Sequence, residues 1–181
     1  INPHDQLSQR ASARIIIDHV NDGYQMAGRH RLPSAIRSAI LEHHGTTVTI
    51  YQYEKSLEET NDTDSTIDDF TYPGPKPQSR ETALLMLADG CEAKARADNP
   101  TSTEEIDNIV RYIINRRLQQ GQLDECNLSL TDLNTVRDSF VNSLKGFFHR
   151  RLQYPSVPIL EPADEHIAST DTEQPPMLAP K

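Results

Sequence analysis

The fold is decided by residues 80–96, which read RETALLMLADGCEAKAR. Apolar side chains recur in this stretch every three or four residues, as they do along one face of an α-helix. The residues that share this face are Ala83, Leu84, Leu87, Ala88, Cys91 and Ala95. The stretch therefore predicts a helix from Arg80 to about Arg96 with one side buried.

Two helices are predicted in the first quarter of the chain. Ser8 can cap a helix that runs to about Arg29, and Pro33 opens a second that ends near residues 43–45, His-His-Gly. The first helix has an apolar stripe made of Ile15, Ile16, Val20, Tyr24 and Ala27. A helix of this kind needs a partner to cover its stripe.

The next stretch predicts a short helix and two irregular segments. Val48, Tyr51 and Leu57 are spaced for one short helix, and the acidic run 58–69 predicts a loop. Residues 72–77, Tyr-Pro-Gly-Pro-Lys-Pro, must be non-helical because of their prolines.

Two further helices are predicted after residue 100. Residues 101–105, Thr-Ser-Thr-Glu-Glu, contain overlapping capping-box signals for a helix to about Gln120, and Gly121 ends it. A last helix runs from Thr131 to about Tyr154. No β-alternation is long enough for a sheet, so the sequence predicts an all-α helical bundle.

Composition divides the chain into two parts. Apolar residues make up only 35% of it, and six of the twelve prolines fall in residues 155–181. We therefore expect one helical domain over residues 1–154 and a disordered, Pro-rich acidic tail over 155–181.

Charge argues against a nucleic acid polymer as the main partner. The net charge is −9, of which −6 lies in residues 54–69 and −4 in 155–181. The rest of the chain carries +1, so a small ligand that bears phosphate is compatible with the core.

The sequence also indicates the cellular compartment. No stretch approaches 18 consecutive apolar residues, so no membrane span is expected. Cys91 and Cys126 are far apart and predict reduced, cytoplasmic thiols rather than a disulfide. The chain starts at Ile1 without a methionine, and we expect it to be part of a longer protein.

The adjacent pair His43-His44, followed by Gly45-Thr46, is the first candidate for chemistry. Two imidazoles at a helix end can point into one cleft, where they can bind a metal that activates water. The alternative is a pair of exposed polar residues near a helix C-terminus, where histidine is favourable.

His19 and Asp89 extend this candidate. His19 is expected on the apolar side of its helix, where a metal could satisfy its ring nitrogens; a core histidine satisfied by backbone or water is the alternative. Asp89 is a lone carboxylate after an apolar run, which needs a cation if it is buried. A partly exposed aspartate is the alternative. Together these residues predict a mononuclear or dinuclear metal site.

The order of these motifs resembles the HD domain of the seven-transmembrane HD hydrolases, the PgpH-type bacterial phosphodiesterases of cyclic di-AMP. The resemblance covers about residues 1–154, and the Tyr-Pro-Gly-Pro-Lys-Pro stretch is its most distinctive part. The matching segments are His19, residues 43–46, Phe70–Ser79, Leu87-Ala88-Asp89, Asn2–Asp5 and Gly121–Cys126.

The resemblance implies an HD helical bundle on the cytoplasmic side of a membrane anchor. It implies that His19, His43 and His44 bind one metal of a dinuclear iron or manganese centre, and that Asp89 helps to hold the other. A hydroxide between the metals would attack a phosphorus of cyclic di-AMP and open it to linear pApA. The implied protein is membrane-anchored and can form a homodimer.

One part of the family pattern has no counterpart here. The family has an early histidine and a His-Asp pair upstream of the position that matches His19. His4-Asp5 matches a different, later segment, and a role as metal ligand is the less favoured interpretation. We therefore expect an incomplete centre that binds one metal or none in this chain by itself.

Three other residues are candidates for binding substrate. Lys76 and Arg80 could contact phosphate, or could be ordinary solvated charges at the start of a helix. Tyr72 could stack on an adenine or pack over the bundle. His149 is expected at the surface.

Metal-dependent hydrolysis of a cyclic dinucleotide is thus the leading hypothesis for function. The alternatives are an HD phosphohydrolase of another nucleotide, a non-catalytic HD module that senses a nucleotide, and a plain bundle whose histidines are structural.

Overall fold

The computed structural model describes residues 7–58 and 65–148. The helices, in chain order, are α1 Gln9–Arg29, α2 Ser34–Glu42, α3 Ile50–Glu58, α4 Arg80–Asp98, α5 Thr103–Gln119 and α6 Leu130–Phe148. A short 3-10 helix, Ile67–Phe70, lies between α3 and α4. Within these ranges there is no β-strand, only an isolated antiparallel bridge between Val48 and Thr71. The all-α prediction is confirmed.

Several helix ends lie where the sequence predicted them. The hydroxyl of Ser8 accepts a hydrogen bond from the N–H of Ala11 at the start of α1, and Ser102 accepts one from Glu105 at the start of α5. Pro33 occupies the N-cap position of α2 rather than its first turn. The two serine hydroxyls satisfy N–H groups that have no partner within the helix.

The main hydrophobic core lies between α4, α5 and α6. Its largest fully buried side chains include Met86, Leu87, Ile106 and Val110. In α4 the prediction was partly wrong, because Leu84 is only half-buried whereas Met86 is buried. The helix contacts α2 as well as α5 and α6, so its buried surface is wider than a single stripe.

A second, smaller cluster lies beside α1. It consists of Ile17, Val20 and Tyr72, with Ile16 and Leu41 packed against it. The predicted stripe placed Ile15 inward, but this side chain is 54% exposed. Because α1 contacts α2, α3 and the 3-10 helix, their positions decide which face of α1 is covered.

The segment after α2 is tied to the segment before α4. The N–H of Thr49 donates to the carbonyl of Phe70 at 2.8 Å, and the N–H of Tyr72 donates to the carbonyl of Thr47 at 2.9 Å. Tyr51 and Leu57, the apolar positions predicted for the short helix α3, are exposed. The two hydrogen bonds hold Tyr72 next to the turn that carries His44.

Some sequence predictions concern residues outside the described ranges. These are His4, Asp5, His149 and the tail 155–181. Within the described ranges, no helix combines the length and apolarity that crossing a bilayer requires.

The ion pair between α5 and α6 makes a pH-dependent contribution to stability that can be tested. Arg137 donates to Asp107 through Nε at 2.6 Å and Nη2 at 3.1 Å. The hydrogen bonds from Arg137, and then from Arg111, lower the pKa of the Asp107 carboxyl from its ordinary value of 3.8. The stabilisation is therefore present above that value and is lost as pH falls below it.

We expect Asp107→Asn to lower the free energy of unfolding at pH 7 by about 0.5–1 kcal/mol. The difference from wild type should shrink as pH falls through the ordinary carboxyl pKa. Urea denaturation at several pH values measures it, with Asp22→Asn, at an exposed position in the middle of α1, as control. A difference that is constant with pH would contradict the assignment.

Candidate metal centre

Three histidine side chains come together in the described part of the chain. His19 lies in α1, His43 is the C-cap residue of α2 and His44 follows it. One ligand nitrogen from each ring lies within 4.8 Å of the other two. The structure thus brings together the three histidines that the sequence singled out.

The rings of His19 and His43 are oriented in a way that suits a cation. Nδ1 of His19 contacts the carbonyl oxygen of Ile16, and Nδ1 of His43 lies 2.8 Å from the carbonyl oxygen of Ile40. Because a carbonyl can only accept, each Nδ1 must carry the ring proton. The Nε2 atom of each neutral ring then presents a lone pair.

These two Nε2 atoms face each other at 3.3 Å. Two lone pairs at this distance repel each other unless a proton or a metal lies between them. Nitrogens bound at about 2.1 Å to one metal are roughly 3.0–3.4 Å apart in octahedral or tetrahedral geometry. A carbonyl acceptor on the remote ring nitrogen is also the usual partner of a metal-bound histidine. The residues present therefore fit a transition metal.

His44 is held as a neutral imidazole. Its ring stacks on Tyr72 with centroids 4.3 Å apart and lies 4.0 Å from the ring of His43. Burial comes first, followed by the electrostatic influence of His43, His19 and Arg117, and together they lower the pKa of His44 to about 3. At neutral pH one ring nitrogen therefore keeps its lone pair.

Asp89 lies beside this group. Its Oδ2 is 3.8 Å from Nδ1 of His44, beyond hydrogen-bond distance, and its side chain is 46% exposed. His19 is exposed as well, although the sequence placed it on the apolar side of α1. Both residues thus lie where a ligand from solvent can reach them.

The three residues predicted to bind substrate lie in different surroundings. Tyr72 is only 6% exposed, and one ring face is covered by His44, so the structure favours packing over stacking on a base. Burial, and then the Asp89 charge, raise the pKa of Tyr72 to about 12.

The guanidinium of Arg80 is engaged elsewhere. Its Nε donates to the carbonyl of Asn127 at 2.6 Å, and Nη2 lies 3.6 Å from Asp132. This favours a structural contact between α4 and the start of α6. Nζ of Lys76 lies near Gly121, 3.6 Å from where a Cβ on that glycine would stand.

Glu42 is a site residue that sequence reasoning missed. It is 5% exposed, and one carboxylate oxygen accepts from the N–H of Gln78 at 2.8 Å and from Oγ1 of Thr82 at 2.7 Å. These bonds join the end of α2 to the start of α4. They fix the residue that precedes the histidine pair, and only its adjacency to that pair could have drawn attention to it.

Gln122 and Arg117 were missed as well. Gln122, 3% exposed, hydrogen-bonds Thr46 just after the histidine pair. Arg117 donates through Nη1 to Gln120 at 3.0 Å and packs near Gly90, next to Asp89. Its charge faces His44 and Asp89. Gln122 lies in the segment Gly121–Cys126 that resembles the family, which is the signal that could have found it, whereas Arg117 stands out neither by type nor by spacing.

A groove of about 590 Å³ runs between α1 and the 3-10 helix. Its lining includes Asp18 and Pro73, the chain neighbours of His19 and Tyr72. The volume lies in the range of small-molecule sites, about 300–1,000 Å³.

No protein-family model matches the chain, but curated proteins do. It is 40% identical over 154 residues to the cyclic-di-AMP phosphodiesterase PgpH of Bacillus subtilis, and 36% identical over 155 residues to PgpH of Listeria monocytogenes. An uncharacterized Synechocystis protein is 35% identical over 158 residues. The matches cover 85–86% of this chain, which spans about a fifth of the length of these relatives.

Two solved structures of the HD domain of L. monocytogenes PgpH are similar to this chain. One has a TM-score of 0.75 at 34% identity and covers 82% of this chain and 69% of its own. The other, in complex with cyclic-di-AMP, has a TM-score of 0.77 at 37% identity and covers 84% and 71%. Because the agreement extends over more than two thirds of both solved domains, the chain belongs to the family of PgpH-type HD domains.

Proposed function

We propose that this chain is part of a metal-dependent phosphodiesterase domain that hydrolyses cyclic di-AMP to linear pApA. The observation that carries the proposal is the pair of Nε2 atoms of His19 and His43, 3.3 Å apart, with both Nδ1 atoms facing carbonyls. The relatives named as cyclic-di-AMP phosphodiesterases, and the solved domain in complex with that nucleotide, support the choice of substrate.

His19, His43 and His44 would hold one metal ion, and Asp89 would help to hold a second. We propose iron or manganese, with two ions in the complete domain and one or none in this chain by itself. When bound, the ions supply an activated water and neutralise charge on the phosphate oxygens.

The residues of this chain have separate tasks in the proposed reaction. His19 and His43 present lone pairs, and His44 stays neutral because it is buried. Tyr72 stays protonated and holds the ring of His44 in place by stacking. Asp89 is exposed enough to meet a ligand directly. Lys76 is the better of the two proposed phosphate contacts, since Arg80 is occupied by Asn127 and Asp132.

The resemblance to the seven-transmembrane HD hydrolases also supports a cellular setting. We propose that the parent protein is membrane-anchored, that this domain lies on the cytoplasmic face, and that it forms a homodimer. The acidic net charge of −9 argues against a nucleic acid polymer as partner.

The proposal is tested by incubating the full-length parent protein with cyclic di-AMP in Mn²⁺ or Fe²⁺ and measuring pApA by chromatography. We expect pApA, and a higher kcat/KM for cyclic di-AMP than for alarmones or nucleoside triphosphates. No pApA in either metal would refute the proposed activity. Calorimetric binding without turnover would instead support a sensing module.

A further inference from the structure

Gln122, in the loop between α5 and α6, spans the turn that follows the histidine pair. Its Oε1 accepts from the N–H of Thr46 at 2.9 Å, and its Nε2 donates to Oγ1 of Thr46 at 2.8 Å. The side chain is 3% exposed, so water cannot replace these bonds without rearrangement. Both ends of the amide therefore hold Thr46, 76 residues away along the chain.

The contact depends on the glycine between the histidine pair and Thr46. Gly45 has φ +54°, and a Cβ there would overlap Oε1 of Gln122. The absence of a side chain lets the amide approach the backbone of the turn.

Hydrogen bonds within the turn link Thr46 to the backbone and the ring of His44. The N–H of Thr47 donates to the carbonyl of His44 at 3.1 Å, and its hydroxyl donates to the same oxygen at 2.8 Å. The carbonyl of Thr47 in turn accepts a hydrogen bond from the N–H of Tyr72. The ring of Tyr72 stacks on His44. A shift of Thr46 would therefore move the backbone of His44 and its stacking partner together.

We infer that Gln122 is a positioning residue for the His43–His44 turn and that it sets the affinity of the three histidines for a metal. The inference rests on the proposed metal centre. Gln122 acts through Thr46 and touches no ligand nitrogen, so its loss should weaken metal binding while leaving three intact imidazoles.

The test is the dissociation constant for Mn²⁺, measured by calorimetry on the whole chain. We expect Gln122→Leu to raise it about 10–100-fold, the effect seen when partners that orient metal ligands are removed. Gln119→Leu makes the same change at an exposed position of α5 and should bind like wild type.

Two variants of Thr46 separate positioning from a general loss of stability. Thr46→Ser keeps the hydroxyl and should bind Mn²⁺ like wild type, whereas Thr46→Val keeps the shape but loses the acceptor of Nε2. Thr46→Val should therefore weaken binding, and should add little to Gln122→Leu in the double variant. If Gln122→Leu does not fold, the inference is tested by the two Thr46 variants alone, and equal Mn²⁺ affinity of Thr46→Ser and Thr46→Val would contradict it.

A readout without metal distinguishes this inference from the proposed function. Imidazole ¹⁵N spectra of the metal-free chain report the ring tautomers, and in wild type we expect the Nδ1–H form for His43. Loss of this single form in folded Gln122→Leu would support positioning, even if wild type binds no Mn²⁺ and the proposed function fails. Unchanged spectra together with unchanged affinity would overturn the inference.

Discussion

Replacing His43 with alanine is expected to lower metal-dependent hydrolysis of cyclic di-AMP by more than about 100-fold, because the loss of a ligand should exceed the 10–100-fold cost of losing a ligand's partner. The variant removes one of the two facing Nε2 atoms, so only His19 and His44 of the three proposed ligands remain to hold the ion. The Mn²⁺ dissociation constant and the rate of pApA release are measured on one preparation of the full-length parent protein.

His30→Ala is the matched control for this variant. His30 is also the C-cap residue of a helix, at the end of α1, but it is exposed and lies outside the group of three. We expect metal binding and activity to remain at the wild-type level. If His43→Ala and His30→Ala behave alike, His43 does not bind the metal.

Gly45→Ala should have the largest effect on stability. With φ +54°, residue 45 has a left-handed backbone conformation, which alanine adopts at a cost. The added methyl group would also overlap Gln122 and lie 2.7 Å from Cε of Met86. The backbone conformation costs about 1–2 kcal/mol and the overpacking about 1–3 kcal/mol. We therefore expect a loss of about 2–5 kcal/mol in the free energy of unfolding, measured with urea in the metal-free chain.

Gly28→Ala should have the opposite sign. Gly28 lies within α1, and apart from the neighbouring backbone of its own helix a Cβ there would meet no heavy atom within 4 Å. Alanine should stabilise this helix by about 0.5–1 kcal/mol relative to glycine. If the two variants were equally destabilised, the close contact of Gly45 with Gln122 would not be the cause.

The features that could be predicted from the sequence depend on near neighbours in the chain. Ser8 and Ser102 cap helices because each accepts a hydrogen bond from an N–H three residues ahead. Residues 72–77 are non-helical because proline excludes a helix whatever surrounds it. Gly121 follows the end of α5 with φ +62°, a conformation that glycine adopts at little cost.

The sequence predictions that were wrong concern which side chains are buried, not which segments form helices. Ile15 is exposed although it belongs to an apolar stripe, because the neighbours of α1 cover the face of Ile17 and Val20 instead. For Asp89 there was no error, because the sequence left burial open; its side chain is 46% exposed. For Arg80 the sequence left open a solvated charge or a phosphate contact; its side chain is 56% exposed and lies beside Asn127 and Asp132.

By itself the sequence determined that the chain is helical and which residues are its candidates for chemistry, namely His19, His43, His44 and Asp89. It could do so because helical periodicity, capping and motif order depend only on the order of residues in the chain. Only the tertiary structure decided that Nε2 of His19 faces Nε2 of His43 and that Gln122 holds the turn beside them. Both contacts depend on how helices that are distant in sequence pack together, and therefore on which side chains come into contact.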